Sequence, residues 1–213
     1  MFDNTVSDEI LVRQLKGGCQ LSFNEIVSRY ETKVFNLSLR LTRNVSDAEE
    51  VLQDVFVTVY RKIDSFQGKA KFSSWLYRIT ANASFMKLRK KKQDKSISMG
   101  DTMSQIENQS VCESKTFHSK SDARAINNEM RSALETAINR LPEEYRAVFV
   151  LRDIDGVSNK EVGDILGLSI PAVKSRLHRS RLMLRKKLAR FYEDYKSETK
   201  IVAVGPALMR QAA

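Results

Sequence analysis

Proline and glycine are scarce in this chain, with three and eight among 213 residues. Proline breaks helices and glycine supplies most left-handed turns. Their shortage points to few tight turns and long helices. Cysteine and histidine are scarcer still: Cys19, Cys112, His118 and His178 are the complete set. Two isolated thiols make neither a disulfide framework nor a CxxC pair. With two histidines, a His/Cys zinc centre is not expected, and no metal or cofactor is expected. No run of about 18 apolar residues occurs, so no membrane insertion is expected. The start, MFDNTVSDEILVRQ, has acids where a secretory signal needs cations, and no apolar stretch follows. The expected location is the cytoplasm.

Acid is in short supply relative to base. Thirty-six Lys and Arg stand against 26 Asp and Glu, a net charge of +10. A surface so basic favours an anionic partner: nucleic acid, anionic lipid or an acidic protein. The apolar fraction of 42% is enough for a packed core and too high for a disordered chain.

Apolar residues recur at spacings of three and four almost throughout, and no strand pattern interrupts them. The first half reads as helices over 8–16, 23–42, 47–63 and 74–91. The second half reads as helices over 123–140, 142–153, 159–166 and 170–195. Ser22/Glu25, Ser46/Glu49 and Ser158/Glu161 fit the capping-box pattern at helix starts. Between the halves, SISMGDTMSQIENQSVCESKTFHSKS is serine-rich and has no period. So long a structureless stretch does not belong inside one compact domain. The expected fold class is all-α: two small helical domains joined by a flexible linker, the C-terminal one a helix-turn-helix. The expected divisions are 1–95, a linker over 96–122, 123–195, and a frayed tail over 196–213.

The C-terminal motif is SNKEVGDILGLSIPAVKSRLHRSRLMLR. Val162, Ile165 and Leu166 make a one-sided apolar face. Gly167 stands where a left-handed residue ends a helix. Ser169 can cap the next helix, and Pro171 falls in its first turn. Val173, Leu177, Leu182 and Leu184 supply that second helix with apolar contacts. Its polar residues are almost all cationic, with no acid between Ile170 and Tyr192. A recognition helix shows its N-terminal polar residues to base edges, while flanking Lys and Arg hold phosphates. Lys174, Ser175, Arg176, His178 and Arg179 are the candidate groove residues. Lys174, Ser175, His178 and Arg179 fall on one stripe. A solvated basic helix in a bundle is the bland alternative, and the caps with the asymmetric charge argue against it.

In the first half, Ala48, Val51, Leu52, Val55, Phe56, Val59, Tyr60 and Ile63 form a core stripe. Glu49, Glu50, Gln53, Asp54, Arg61 and Lys62 lie on the opposite face, which by itself is an ordinary solvated surface. Downstream, Phe66, Phe72, Trp75, Tyr77 and Phe85 precede a basic end, Met86 to Lys95, with six cations and one acid. Aromatics beside cations suit single-stranded nucleic acid. Taken alone, Phe72 and Trp75 also read as core, and for Trp75 core is the favoured reading.

Three segments, SDAEEVLQDVFVTVYRKIDSF, FSSWLYRITANASFMKLRKK and LPEEYRAVFVLRDIDGVSNKEVGDILGLSIPAVKSRLHRSR, follow one another in this order. In order and spacing the chain resembles the extracytoplasmic function (ECF) group of bacterial sigma factors, in the sigma-70 family. The resemblance covers 7–92 and 128–191. It implies a domain-two and domain-four architecture without a domain three. It implies that Glu50, Gln53, Asp54 and Phe56 belong to the stretch that docks on core RNA polymerase, at the coiled coil of the beta-prime subunit. The beta subunit is the second expected polymerase partner. It also implies that the loop from Phe66 to Phe72, with Lys71 and Trp75, captures an unstacked base of the −10 element of promoter DNA. Asn82 matches a base-contacting position. Lys174, Ser175 and Arg179 match −35 contacts, and His178 stands where relatives often carry an aromatic. An anti-sigma factor is an implied partner, and the linker is implied to thread near the polymerase active-site and RNA-exit channels. Its acids, Asp101, Glu107, Glu113 and Asp122, are nearly balanced by Lys115, Lys120 and Arg124, which does not support mimicry of RNA charge.

The implied function is a promoter-specificity subunit that helps open the promoter. Base flipping costs a few kcal/mol, which an aromatic and basic pocket offsets in part. No nucleophile-base pair or carboxylate dyad points to an enzyme. The alternatives are a stand-alone helix-turn-helix regulator and a recombinase-like enzyme. The latter needs a nucleophilic Ser or Tyr among clustered Arg or acids, which the first half lacks.

Overall fold

The computed structural model describes the backbone of residues 6–98 and 122–208, and the side chains of residues 6–94 and 130–189. Residues 99–121 of the expected linker, with Cys112 and His118, lie outside the described residues. Among the described residues all regular structure is helical: α1 (Asp8–Lys16), α2 (Gln20–Thr42), α3 (Val45–Lys62), α4 (Phe72–Ser98), α5 (Asp122–Asn139), α6 (Glu143–Phe149), α7 (Asn159–Leu166) and α8 (Ile170–Leu208). A short 3-10 turn, Ile63–Ser65, follows α3, and a π-type turn, Val150–Ile154, follows α6. The backbone of α8 stays helical to Leu208, where the sequence suggested fraying.

The described residues gather into two compact units. The first takes 6–98 with 150–174, and the second takes 122–149 with 175–208. The first unit rests on α2, α3 and α4, whose apolar stripes converge on Ile26, Val34, Val51, Val55, Val59 and Leu76, all essentially inaccessible. Each such side chain contributes roughly 1.5–3 kcal/mol by leaving water. α1 closes the end of this bundle through Leu11, Val12 and Leu15. Polar ties fix it there: Tyr30 Oη donates to Asp8, and Arg29 Nη1 donates to the Val6 carbonyl at 2.6 Å. Burial raises the Tyr30 phenol well above its ordinary range, and the Asp8 carboxylate adds to the rise.

Two of the three expected capping boxes are absent. α2 begins at Gln20 after Cys19, and Ser22 sits buried inside the helix, donating to Gln14 Oε1 at 2.7 Å. α3 begins after Asn44, whose side chain accepts from the Asp47 N–H at 2.9 Å, so Ser46 is already helical. An Asn two positions upstream outcompetes Ser46 because the turn from α2 is short and Arg43 already takes a left-handed φ of 62°. The third box, Ser158 with Glu161, is complete. Tyr60 is a further correction: it stands 54% exposed, not in the core stripe. Leu182 is 47% exposed and does not belong to the buried stripe of α8.

In the second unit Ala137, Ile138, Leu141, Ala147, Val148, Leu177 and Leu184 are buried. Arg146 is buried with them at 1% exposure. Its guanidinium donates to the carbonyls of Leu141 at 3.0 Å and Asn139 at 3.4 Å, closing the α5–α6 turn. Buried charge persists only when such acceptors replace water.

The turn between α7 and α8 depends on two glycines. Gly167 has φ +67°, and the Leu168 N–H returns to the Gly163 carbonyl at 2.9 Å. At Gly163 a Cβ would lie 2.7 Å from the Leu168 carbonyl oxygen. Alanine is the better helix former by about 1 kcal/mol. Gly163→Ala is nevertheless expected to destabilise by roughly 1–3 kcal/mol, because a backbone atom must yield. Thermal unfolding followed by circular dichroism measures this, and a raised Tm would mean that the turn relaxes freely.

Candidate nucleic-acid interface

The recognition helix takes its orientation from what it buries. Val173, Leu177, Ser180 and Leu184 lie along one stripe of α8, and Ser180 Oγ donates back to the Leu177 carbonyl at 2.7 Å. At its start the Ser169 side chain accepts from the Ala172 N–H at 3.4 Å. Lys174, Ser175, His178 and Arg179 are all exposed on the opposite stripe. Arg181, Arg185 and Lys186 continue the exposed cationic surface. Arg176 departs from the others: it is half-buried, and its Nη2 lies 3.2 Å from Glu144 Oε2. The neighbouring Tyr145 hydroxyl, with Glu144 beyond it, raises the Arg179 guanidinium above its ordinary range.

The second surface is aromatic. Phe66, Phe72 and Trp75 meet as a cluster, with ring centroids 5.3–5.8 Å apart. Phe72 is the buried member, in edge contact with Tyr30 at 5.6 Å. Phe66 and Trp75 are half-buried. The cluster is therefore part core and part surface, and Phe72 is its anchor. Lys16 Nζ donates to the Phe66 carbonyl at 2.6 Å and holds the entry to the loop. Past this point Gln67, Gly68, Lys69, Ala70 and Lys71 are exposed, and Gly68 has φ +69°. Asn82 is exposed two helical turns beyond Trp75 on α4, with exposed Arg78 between.

A cavity of about 710 Å³ opens beside this loop, lined by Phe66, Lys71, Trp75 and Arg78, with Lys160 and Glu161 of α7. Glu161 completes it: its Oε1 accepts from Ser74 Oγ at 3.2 Å and lies 3.5 Å from Lys71 Nζ. The Ser158 hydroxyl and N–H hold the Glu161 carboxyl below its usual range. The sequence marked Glu161 only as a helix cap. Its capping geometry leaves the second oxygen turned outward, which the motif alone does not reveal.

The third surface is the outer face of α3. Gln53 and Asp54 are exposed there. Glu50 is exposed too, in an ion pair with Lys87. Phe56 is 8% exposed and points into the core, edge-on to Phe23 at 6.5 Å. The aromatic presented on this face is Tyr60, whose ring meets Phe23 at 5.3 Å, with Val57 at 48% exposure beside the same stripe. The i, i+4, i+7 spacing of Gln53, Val57 and Tyr60 could have marked it. At the basic end of α4, Asp47 pairs with Lys91 at 2.7 Å, while Arg89 and Lys90 stay exposed.

Among the described residues no three His, Cys, Asp or Glu are placed to share a metal ion, and no helix is long and apolar enough to cross a membrane.

Comparison with known proteins finds two matched segments. A family model described as Sigma-70 region 2 matches residues 26–93, and one described as Sigma-70, region 4 matches residues 131–184. The chain is 39% identical over 184 residues to the ECF RNA polymerase sigma factor SigW of Bacillus subtilis, covering 83% of this chain and 94% of that protein. It is similar to CnrH, solved in complex with the cytosolic domain of CnrY, at 26% identity and a TM-score of 0.60 over 86% of this chain and 97% of that one. It shares its fold with the sigma factor RpoE of Bartonella quintana, solved with the anti-sigma factor NepR, at 22% identity and a TM-score of 0.62 over 78% and 96% of the two chains.

The exposed stripe of α8 separates two kinds of arginine. Arg179→Ala is expected to cost about 1–3 kcal/mol on the preferred duplex and to relax sequence preference. Arg185→Ala is expected to weaken all duplexes alike and to lower the salt slope by about one. Competition binding over a salt series distinguishes them, and equal sequence-independent losses would mean that the groove face is wrongly assigned.

Proposed function

The chain belongs to the ECF family of RNA polymerase sigma factors, and we propose that its two matched segments act at the two ends of one promoter. It is a promoter-specificity subunit: it joins core RNA polymerase, recognises promoter DNA and helps initiate transcription. The observation that carries this reading is the pairing, in one chain, of a cation-faced recognition helix with an aromatic loop on a helical bundle. A stand-alone regulator has use for the first and none for the second.

In this reading α8 enters the major groove of the −35 element. Lys174, Ser175, His178 and Arg179 face the bases, and the cations beyond them hold phosphates with release of counterions. The loop from Phe66 to Phe72 works at the −10 element. Phe72 is fixed in the core, so the half-buried rings of Phe66 and Trp75 offer a stacking edge that does not collapse when empty. A base turned out of the duplex stacks there, and Lys71 and Arg78 supply positive charge for the displaced strand. Asn82 offers both a donor and an acceptor to a base edge. Nucleotide chemistry belongs to the polymerase; this chain contributes binding and strand separation, and its work is in the cytoplasm.

The outer face of α3 is the polymerase-docking surface of this reading, at the beta-prime subunit, with Gln53, Asp54 and Tyr60 as its exposed members. The beta subunit is the second polymerase contact. An anti-sigma factor is the partner that would hold the chain inactive. The division into a domain two over 1–95 and a domain four over 123–195, joined by a linker, belongs to the same proposal.

Run-off transcription with core polymerase on a promoter library tests the function directly. Asp54→Lys with Gln53→Ala is expected to weaken binding to core polymerase at unchanged helicity, since neither side chain is buried. Normal binding would leave that face as plain solvated surface. For the −10 element, Asn82→Ala is expected to slow promoter opening more than it weakens the closed complex, because flipped-base contacts form only after unstacking. Permanganate reactivity of −10 thymines, timed against filter binding, separates the two steps. Tight specific footprints by the isolated chain without opening on addition of polymerase would favour a repressor instead.

A further inference from the structure

α1 reaches the aromatic cluster of the −10 loop from both of its ends. Lys16, in its last turn, donates from Nζ to the Phe66 carbonyl at 2.6 Å. Asp8, in its first turn, accepts from the Tyr30 hydroxyl, and the Tyr30 ring backs Phe72 at 5.6 Å. Arg29 Nη1 holds the same carboxylate at 3.3 Å. A lysine in a last turn ordinarily serves the orphan carbonyls of its own helix. Here backbone donors take three of them. The Arg13 carbonyl accepts from the Gly17 N–H at 3.2 Å, Leu15 from Gly18 at 2.9 Å and Gln14 from Cys19 at 3.0 Å. Gly18 permits this closure with a left-handed φ of 85°. Leu15 is buried beside Lys16 and fixes the helix end against the bundle. The Lys16 stem thus starts from a rigid point, and its ammonium serves an acceptor outside its own helix.

That acceptor controls the loop. The Phe66 N–H donates to the Ile63 carbonyl at 3.0 Å, and the Phe66 ring packs on Phe72 and Trp75. The next backbone anchor is the Lys71 carbonyl, which accepts from Ser74 and Trp75 at 3.1 and 3.2 Å. Gln67 to Ala70 lie exposed between the two anchors. The peptide plane carrying the Phe66 carbonyl sets the direction in which the chain leaves the first of them. We infer that α1 is the brace of the −10 platform, with Lys16 and Tyr30 as positioning residues: Lys16 sets the exit of the loop through the Phe66 carbonyl, and Tyr30, tied to Asp8, sets the seat of Phe72 beneath the two stacking rings. This rests on the placement of that loop at the −10 element. The Lys16 bond is exposed and adds little to global stability. Loops at the low-stability end of a fold nevertheless respond to small local restraints. Rings and loop ordered before a base arrives remove that ordering cost from the flipped state.

Trp75 is the one tryptophan of the chain, so its emission reports on the cluster directly. The full chain is measured at a temperature where every variant is folded. Lys16→Met is expected to raise acrylamide quenching of Trp75 and shift its emission to the red, with the Tm unchanged. Lys16→Arg keeps donor and charge and is expected to restore the parent values. Tyr30→Phe keeps the ring against Phe72, loses only the tie to Asp8, and is expected to raise quenching as well. With core RNA polymerase bound, Lys16→Met and Tyr30→Phe are each expected to slow permanganate-detected opening roughly two- to tenfold, the range for one lost hydrogen bond, at unchanged closed-complex binding. The salt slope for a single-stranded −10 oligonucleotide should keep its parent value. A slope lower by about 0.7 in Lys16→Met would mean that Lys16 contacts phosphate, and would overturn its positioning role. Parent-like quenching and opening in that variant would overturn it too. A lowered Tm with parent-like quenching in Tyr30→Phe would mean that Tyr30 only supports the fold, and would overturn its half. If Trp75→Ala leaves opening intact, the placement of the loop at the −10 element fails as well. If Trp75→Ala slows opening and Lys16→Met does not, the brace fails alone.

Discussion

A helix can bury one stripe, and in α8 that stripe is occupied by Val173, Leu177, Ser180 and Leu184. The choice leaves the helix no freedom about what it shows. Residues two steps around the helix from the buried ones are forced outward, and apart from Pro171 and Leu182 these are Ser175, His178, Arg179 and Lys186. In the proposed reading, DNA affinity and groove-facing geometry are thus consequences of apolar burial, with the charges following passively. The same constraint explains why Gly163 matters far from any nucleic acid. Only a residue without a Cβ lets the turn at Leu168 close and bring the two helices of the motif together.

The first unit solves a different problem, that of keeping an aromatic surface available without letting it collapse. Phe72 supplies the answer by sitting in the core against Tyr30 while touching both Phe66 and Trp75. The exposed rings are held from behind. Lys16 holds the loop backbone from the side through the Phe66 carbonyl. In the proposed reading, rings fixed in this way lose little entropy on stacking with a base, which is what a stacking platform requires.

Helix existence was legible throughout, because three-and-four spacing is dense and prolines are few. α1 and α7 are found with the bounds that the sequence suggested, and α2, α3 and α4 begin two or three residues earlier. What the sequence hid is instructive. Ser22 and Ser46 satisfied a capping pattern that the chain does not use, because an earlier residue takes the turn in each case. Tyr60 looked like the next member of the α3 stripe, yet a helix of 3.6 residues per turn carries it outward by that point. Arg146 carries a charge that no spacing rule would bury, and carbonyls at the α5–α6 turn accept it in the interior. The pairings of Glu161 with Lys71 and of Glu144 with Arg176 join residues far apart in the chain. No local spacing rule reaches such contacts.

The exposed Val57 and Tyr60 have a consequence for handling the molecule. They put apolar surface on the outside of a chain whose net charge is strongly positive. At low ionic strength, charge repulsion keeps copies apart. As salt screens that repulsion, the apolar face is left as the dominant short-range attraction between copies. Purification in high salt, the usual way to strip nucleic acid from a basic protein, therefore works against the solubility of this one. A moderate-salt buffer, or an anionic polymer to compete the nucleic acid away, suits it better.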